Sequence, residues 1–300
     1  MQIGGLIFVS FIPGLFWLWF FTRLDRVQPA PKRLILLSFL LGMVATIPAG
    51  IINTIALDES QFDAGATLTA VAVSMLVVVG PVEETSKFLA VRFGAFRSAY
   101  FDEPVDGLVY SAAASLGFAS LENLLYVFSF GPEVMLFRAP LSTVAHLVFG
   151  SLWGLGLGLQ ARPGGRSRLL LITTLVAAAA LHASFNIALF SPYPLLSILI
   201  VIVGGIWTYR RFEWGQRISP FRYRRNYPQF ACDNCQGLVR VTATFCPHCG
   251  VGTLRVGRPI VCGNCHHENR PDALYCIHCG DRFLLEAQEA HERPHHRDQH

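Results

Sequence analysis

Charge is scarce in this chain. Asp, Glu, Lys and Arg make up 15% of the 300 residues, against roughly a quarter in an average soluble domain. Between Arg33 and Arg92 the only ionisable side chains are Asp58, Glu59, Asp63, Glu83, Glu84 and Lys87. Cysteine is absent from the first 231 residues. These shortages exclude an ordinary soluble enzyme, a disordered chain and a secreted disulfide scaffold. What fills the space is apolar: 52% of residues are hydrophobic and the mean hydropathy is +0.43. That composition belongs to a polytopic membrane protein. The net charge of +4 is modest, and a nucleic-acid partner is not indicated.

Apolar stretches at 3–22, 34–57, 65–91, 106–130, 139–160, 169–190 and 195–209 compare with about 20 residues needed for a membrane-crossing helix. The last is short, but Trp207 and Tyr209 suit an interface. The first lacks the positive start and small-residue cleavage site of a signal peptide, so it reads as a retained helix. Loop charge sets the orientation. Arg23, Arg26, Lys32 and Arg33 follow the first span, Arg92 and Arg97 the third, Arg162, Arg166 and Arg168 the fifth, and Arg210, Arg211 and Arg217 the seventh. The alternate loops hold only Arg138. The positive-inside rule then predicts an external N-terminus and a cytoplasmic C-terminus in the cell membrane.

After Trp214 the character changes. A basic juxtamembrane linker, 210–228, carries Arg217, Arg222, Arg224 and Arg225 among Phe221, Tyr223 and Tyr227. It is either an anchor or an attraction to anionic lipid headgroups. Cys232-x2-Cys235-x10-Cys246-x2-Cys249 then recurs 30 residues later as Cys262-x2-Cys265-x10-Cys276-x2-Cys279. Paired CxxC knuckles can offer four thiolates to one tetrahedral Zn2+. A reducing cytoplasm argues against disulfides. Gly250 and Gly280 allow the tight turn a knuckle needs. Two structural zinc ions are therefore expected, with iron as the minor alternative. His248, His266, His267 and His278 are read as surface residues. The unit resembles a double zinc ribbon, a module that commonly recruits a protein or nucleic-acid partner. The predicted division is a transmembrane core over 1–209, ribbons over 229–252 and 259–283, and a disordered histidine-rich tail over 284–300. The predicted fold class is an all-α polytopic membrane protein of about seven transmembrane helices with two small cytoplasmic zinc-ribbon modules.

Ionisable groups at bilayer depth are functional candidates by default. Glu83, Glu84, Lys87, Glu122, His146 and His182 all fall in the third to sixth spans. Buried charges need partners, so four adjacent helices turning these groups toward one another is the economical arrangement. Glu83 and Lys87 share a helix face at i,i+4, and Glu84 reaches Lys87 at i,i+3. His146 heads a stripe of Gly150, Gly154 and Gly158 that would let another backbone approach closely. His182 and Asn186 are again i,i+4. Lys87 could serve only to neutralise a glutamate. Asn123 and Asn186 could be interhelical hydrogen-bond glue. Taken together, the acids and imidazoles can hold a metal and activate water, or polarise water and an oxyanion without one. Proton or cation transport is a different reading of the same residues, and a non-catalytic scaffold that recruits through the ribbons is a third.

Glu83-Glu84-Thr85-Ser86-Lys87 matches EExxK, Phe118 to Asn123 matches FxxxEN, His146 to Gly150 matches HxxxG, and His182 to Asn186 matches HxxxN, with Asp106-Gly107 opening the fourth span. In order and placement these resemble the PrsW family of intramembrane proteases, relatives of the CAAX prenyl endopeptidases, over roughly 70–190. The resemblance implies an endopeptidase acting on membrane-anchored proteins, an anti-sigma factor in the namesake case. It implies that Glu83 or Glu84 activates water, and that Glu122, His146 and His182 are ligands of a catalytic divalent metal or acid–base partners. Asn186 would help hold the oxyanion. The endopeptidase relatives carry histidine where this chain has Glu122, so metallo- and glutamate-type mechanisms both stand. The spans leave a mismatch in depth. At about 1.5 Å rise per residue, Glu122, His146 and His182 sit roughly 10–12 Å from the outer ends and Glu83 about 13 Å from the inner end. A break at Gly80-Pro81 is the expected remedy.

Overall fold

The computed structural model of the chain describes residues 3–57, 67–98, 100–161 and 168–219, and in the tail 229–232, 234–240, 245–246, 249–252, 260–269, 276 and 278–281. The linker residues 220–228, the loop 58–64, the end at 284–300, Arg162, Arg166 and His248 lie outside the described residues. Two compact units divide the chain, Met1–Arg222 and Tyr223–His300.

The first unit is helical: α1 (Ile3–Leu24), α2 (Lys32–Ala56), α3 (Leu68–Ser74), α4 (Gly80–Phe93), α5 (Pro104–Phe130), α6 (Met135–Phe137), α7 (Thr143–Gln160), α8 (Arg168–Phe190) and α9 (Leu195–Arg217). A π-helical stretch, Met75–Val79, joins α3 to α4, and a second, Arg138–Ser142, joins α6 to α7. Seven helical spans long and apolar enough to cross a membrane result among the described residues. Two run past their apolar cores. The third continues through a 3-10 turn to Arg97. The seventh continues to Arg217, where Gln216 Nε2 donates to the Leu24 carbonyl at 2.6 Å and ties the end of α9 to the end of α1. Asp106, which opens the fourth span, works as half of a capping box: its carboxylate accepts the N–H groups of Asp102 and Glu103 at 3.0 Å each. These are donors that a helix start would otherwise leave unsatisfied.

Helices α5 and α7 form the centre. Their packing is backbone on backbone, and small residues are why. A Cβ on Gly107 would meet the Gly154 carbonyl at 2.1 Å, one on Gly154 the Ser111 Oγ at 2.0 Å, one on Gly150 the Ser115 Oγ at 2.1 Å, and one on Gly158 the Pro104 carbonyl at 2.6 Å. The glycine stripe read from the sequence is therefore the seam, and α5 answers it with Gly107, Ser111 and Ser115. Close approach gains van der Waals contact where lipid offers no hydrophobic drive for helix association. The antiparallel ladder runs on to place His146 beside Phe118, with ring centroids 5.8 Å apart. The outward faces, such as Phe8, Trp19, Ile55, Leu136 and Phe137, stay exposed and apolar, as a lipid-facing surface requires.

In the second unit, β1 (Gln229–Ala231) pairs antiparallel with β2 (Leu238–Arg240), and β3 (Ile260–Val261) with β4 (Glu268–Asn269).

Two outcomes test this packing. Gly107→Ala drives a Cβ into backbone on α7, so it should destabilise by about 1–3 kcal/mol, the usual cost of overpacking, read as a lower Tm in detergent. The second concerns Asp25, between α1 and α2. Burial raises its carboxyl from 3.8 to about 6, against the lowering effect of the Ala30 N–H it accepts at 2.9 Å. The folded chain then holds that proton more tightly than the unfolded one, so stability falls as pH rises from about 4 to 6. The Tm difference between Asp25→Asn and the parent protein should grow in the variant's favour across that window and level off above it.

Candidate active site and metal centres

Glu83 and Glu84 stand in the first turns of α4, just after the π-helical stretch. Gly80 lets α4 touch α8: a Cβ there would lie 2.4 Å from the Ala179 carbonyl. One turn further along each helix, Glu84 meets His182. The break expected at Gly80-Pro81 lies one turn earlier, at Met75–Val79, and Pro81, which has no N–H to give to the preceding turn, follows directly on it. The mismatch in depth goes with it, because the third span reaches Arg97 and Glu83 lies mid-span.

The three acids have different partners. Glu84 is fully buried and accepts three donors: Lys87 Nζ at 2.8 Å, His182 Nδ1 at 2.8 Å and the Trp153 indole Nε1 at 3.0 Å. Lys and Trp can only donate, so this carboxylate is ionised and the His182 proton sits on Nδ1. The His182 Nε2 lone pair is left facing Glu83, whose Oε2 lies 3.8 Å away. Glu83 is 5% exposed; its Oε1 accepts from Asn53 Nδ2 on α2 at 3.4 Å, and its Oε2 is buried without a hydrogen-bond partner. Glu122 has the same carboxylate oxygen against His146 Nε2 at 3.0 Å and Arg138 Nη2 at 2.5 Å. Its side chain is 17% exposed, the most open of the three.

Lys87 is buried completely. Besides Glu84 it donates to His146 Nδ1 at 2.8 Å and lies 4.2 Å from the centre of the Phe118 ring. Because Lys donates, His146 Nδ1 accepts, and its proton is on Nε2, pointing at Glu122. Phe149 stacks on the His182 ring at 4.8 Å, and the two imidazoles are 5.2 Å apart.

Donor atoms of Glu83, His146 and His182 all lie within 4.8 Å of one another, close enough to share one metal ion. The sequence reading placed Glu122 with the two histidines; the group that gathers in the structure holds Glu83, while the Glu122 carboxylate lies against His146 and Arg138. The set fits a divalent cation. It offers a buried carboxylate oxygen that has no hydrogen bond and only a 3.6 Å ion pair with Lys87, a free imidazole lone pair and a second imidazole that would trade one of its present contacts. Lys87 and Arg138 balance Glu84 and Glu122, so Glu83 is the carboxylate that would meet the charge of a bound cation. Glu83, Glu84, Glu122, His146 and His182 are thus brought together. Asn186 is half-buried, one turn beyond His182, and makes no side-chain hydrogen bond among the described residues.

Four residues of the constellation escaped the sequence reading. Asn53 and Trp153 look like ordinary residues of apolar spans. Arg138 read as loop charge, and Thr143 carried no signal. An asparagine in the otherwise apolar second span and an arginine in an outer loop that positive-inside bias should leave empty were the available hints.

The tail holds two four-cysteine groups, each with its thiols able to reach one ion. Sulfur pairs stand 3.7 Å (Cys232–Cys249), 3.6 Å (Cys235–Cys246), 3.6 Å (Cys262–Cys279) and 3.4 Å (Cys265–Cys276) apart. None of the eight cysteines forms a disulfide among the described residues, and the spacing is that of thiolates around a tetrahedral centre at Zn–S of about 2.3 Å. Each knuckle closes identically. The residue after the second cysteine has positive φ (Gln236 58°, Gly250 74°, His266 57°, Gly280 75°) and returns its N–H to the first cysteine's carbonyl at 2.8–2.9 Å. The two glycines were expected here. Gln236 and His266 take the same conformation at the cost of a Cβ. His266, His267 and His278 are exposed, as expected.

A family model described as PrsW family intramembrane metalloprotease matches residues 30–208. Protease PrsW of Bacillus subtilis (strain 168) is 32% identical over 186 residues, covering 62% of this chain and 83% of that protein. Protease PrsW of Geobacillus kaustophilus (strain HTA426) is 33% identical over 154 residues, covering 51% and 66%. Protease PrsW of Oceanobacillus iheyensis is 28% identical over 201 residues, covering 66% and 90%. No solved structure matches. The family match stops at 208, short of the cysteines.

The partner sets of Glu83 and Glu84 separate stability from chemistry. Glu84→Gln takes from the buried ammonium its 2.8 Å partner, leaving only Glu83 Oε2 at 3.6 Å, and should cost about 3–5 kcal/mol. Glu83→Gln removes only the longer ion pair and should lower Tm far less. Thermal melts of the two variants side by side test this, and equal losses would contradict it.

Proposed function

The chain belongs to the PrsW family of intramembrane metalloproteases and is a multi-pass membrane protease, and we propose that Glu83, His146, His182 and Glu122 carry out its peptide-bond hydrolysis. The observation that carries this reading is Glu83 Oε2, buried without a hydrogen bond and 3.6 Å from Lys87 Nζ, facing the free His182 Nε2 inside the Glu83–His146–His182 group. A divalent cation held by these three would polarise the scissile carbonyl and acidify a water molecule.

The remaining steps belong to the side chains. Glu122 takes the proton from water as general base: its Oε1 has no hydrogen bond among the described residues, and it is the acid most open to an incoming chain. Glu84 fixes the His182 tautomer and ring, as a carboxylate behind a ligating histidine does. Lys87 keeps Glu84 ionised and holds the His146 ring from the opposite side. Phe149, stacked on His182, keeps water from that flank. Asn186 stands apart from this set and is proposed only as a contact for the substrate carbonyl.

The substrate is a membrane-anchored protein, on this reading a single-span regulator of the anti-sigma-factor kind. Arginines grouped in alternate loops support an external N-terminus and cytoplasmic C-terminus, with Glu122 and His182 in the outer halves of their spans and His146 at the middle of its own. The tail clusters each hold one structural Zn2+. A four-thiolate site has no open position for water, so the ribbons recruit a protein partner and do not catalyse.

Purified full-length protein should cleave a single-span substrate in detergent. Glu122→Gln should lower kcat by about 10²–10⁴, the usual worth of a general base, and His182→Ala should abolish turnover. Full activity in both variants would overturn the assignment. A chain ending at Tyr227 should lose two zinc ions and keep basal cleavage.

A further inference from the structure

Arg138 lies outside every motif that marks the family, yet it is the most elaborately held cation beside the site. Its side chain is 11% exposed. Nη2 donates to Glu122 Oε2 and Nε donates to Asn123 Oδ1 at 2.8 Å, while the guanidinium lies 3.8 Å from the centre of the Tyr126 ring. Asn123 Nδ2 in turn donates to Thr143 Oγ1 at 3.0 Å, and that hydroxyl donates to the Arg138 carbonyl at 3.0 Å. A ring of hydrogen bonds thus runs from the arginine's side chain back to its own backbone. It clamps the π-helical start of α7 to the outer end of α5. Only a planar fork can serve two acceptors and a ring face at once.

We propose that Arg138 is a positioning residue of the protease, holding Glu122 beside the reaction and out of the Glu83–His146–His182 ligand group. The proposal rests on the roles assigned to those four residues above. Glu122 Oε2 is 3.0 Å from His146 Nε2, so it is the acid next in line to that group, and yet it is not a member of it. A cation in the pocket attracts any nearby carboxylate. Lys87 cannot oppose that attraction on Glu122's behalf, because it is committed to Glu84 and His146. Arg138 is the countercharge on the far side. A second carboxylate drawn into the group would fill the position that a catalytic site keeps open for water, and the base would be lost with it.

The idea has a signature that a merely structural role lacks: metal binding and turnover move in opposite directions. Co2+ is the probe for the full-length protein whose ribbons already hold Zn2+, which is d10 and colourless, so that the visible bands report the Glu83–His146–His182 group. Arg138→Gln should bind Co2+ at the core about tenfold more tightly, within the range by which neighbours of a ligand set tune affinity. Its kcat should fall by about 10²-fold, the low end of a general base's worth, with KM within about threefold because Arg138 touches no substrate. Adding Glu122→Gln should return the core affinity to that of the parent. Arg138→Lys, which keeps the charge without the fork, should fall between and serves if the glutamine variant does not fold. Loss of core Co2+ binding together with activity, or a kcat within about twofold of the parent, overturns the proposal. Failure of the underlying reading shows elsewhere: Glu122→Gln alone would keep the parent kcat, or the core bands would survive in His146→Ala/His182→Ala.

Discussion

A buried ammonium governs the architecture of this site. Lys87 has no exposure, and an uncompensated charge at that depth would be intolerable. Its surroundings answer that demand from every side. Glu84 supplies the counter-charge, His146 an acceptor nitrogen, and Phe118 the negative face of a ring. These groups come from α4, α7 and α5. Satisfying one cation therefore fixes three helices against one another, and it also dictates a tautomer. With Nδ1 of His146 turned to Lys87, only Nε2 is left to face Glu122. The motif position that could be read as a simple neutraliser of a glutamate is the hub through which the acids and imidazoles are oriented.

Three glutamates in one pocket would be redundant if they were equivalent. Their roles follow from counting donors. Glu84 receives three and is saturated, so it can orient a neighbour but cannot react. Glu83 receives one weak donor from Asn53 and keeps an oxygen with no hydrogen bond, 3.6 Å from Lys87 Nζ. Glu122 is held by Arg138 through one oxygen, with the other free. On the proposed reading the first is support, the second has an oxygen to give to a cation, and the third has an oxygen to give to a proton. Burial ranks them the same way: completely buried, nearly so, and partly open.

The spans, the glycine seam and the ribbon spacing were legible in the sequence because each depends on local composition. Hydropathy locates a helix, Gly150, Gly154 and Gly158 at a four-residue interval announce a close contact, and CxxC spacing announces a knuckle. Which acid completes the ligand group was not legible. Glu83 and Glu84 are neighbours in sequence, and only the approach of α8 at Gly80 decides that Glu84 meets His182 Nδ1 while Glu83 faces Nε2. Asn53, Trp153 and Arg138 were missed for the same reason. A single polar group in an apolar span gives no hint of its partner until the helices are placed. The positive-φ positions of Gln236 and His266 were hidden behind residue types that rarely adopt that conformation, whereas Gly250 and Gly280 advertised theirs.

Both π-helical stretches end one turn before a residue of the proposed ligand group: Val79 precedes Glu83 by four, and Ser142 precedes His146 by four. A π turn inserts an extra residue into a helix, and such insertions concentrate at functional sites. The reason is geometric. In a regular helix the side chain one turn on is already aimed by the packing of the turn before it, and here that packing is set by lipid-facing and seam-forming residues. An inserted residue rotates everything downstream by about 100°, the angular step of a helix with 3.6 residues per turn. The segment before the insertion can then face its neighbours as hydropathy dictates, while the segment after it turns its polar groups inward. In α4 the insertion brings Gly80 against Ala179 and Glu83 and Glu84 toward His182. In α7 it lets Arg138 reach back to Glu122 while His146 faces Lys87. A membrane helix that obeyed a single period throughout could satisfy the bilayer or the site along that face. The two irregular turns allow these helices to satisfy both.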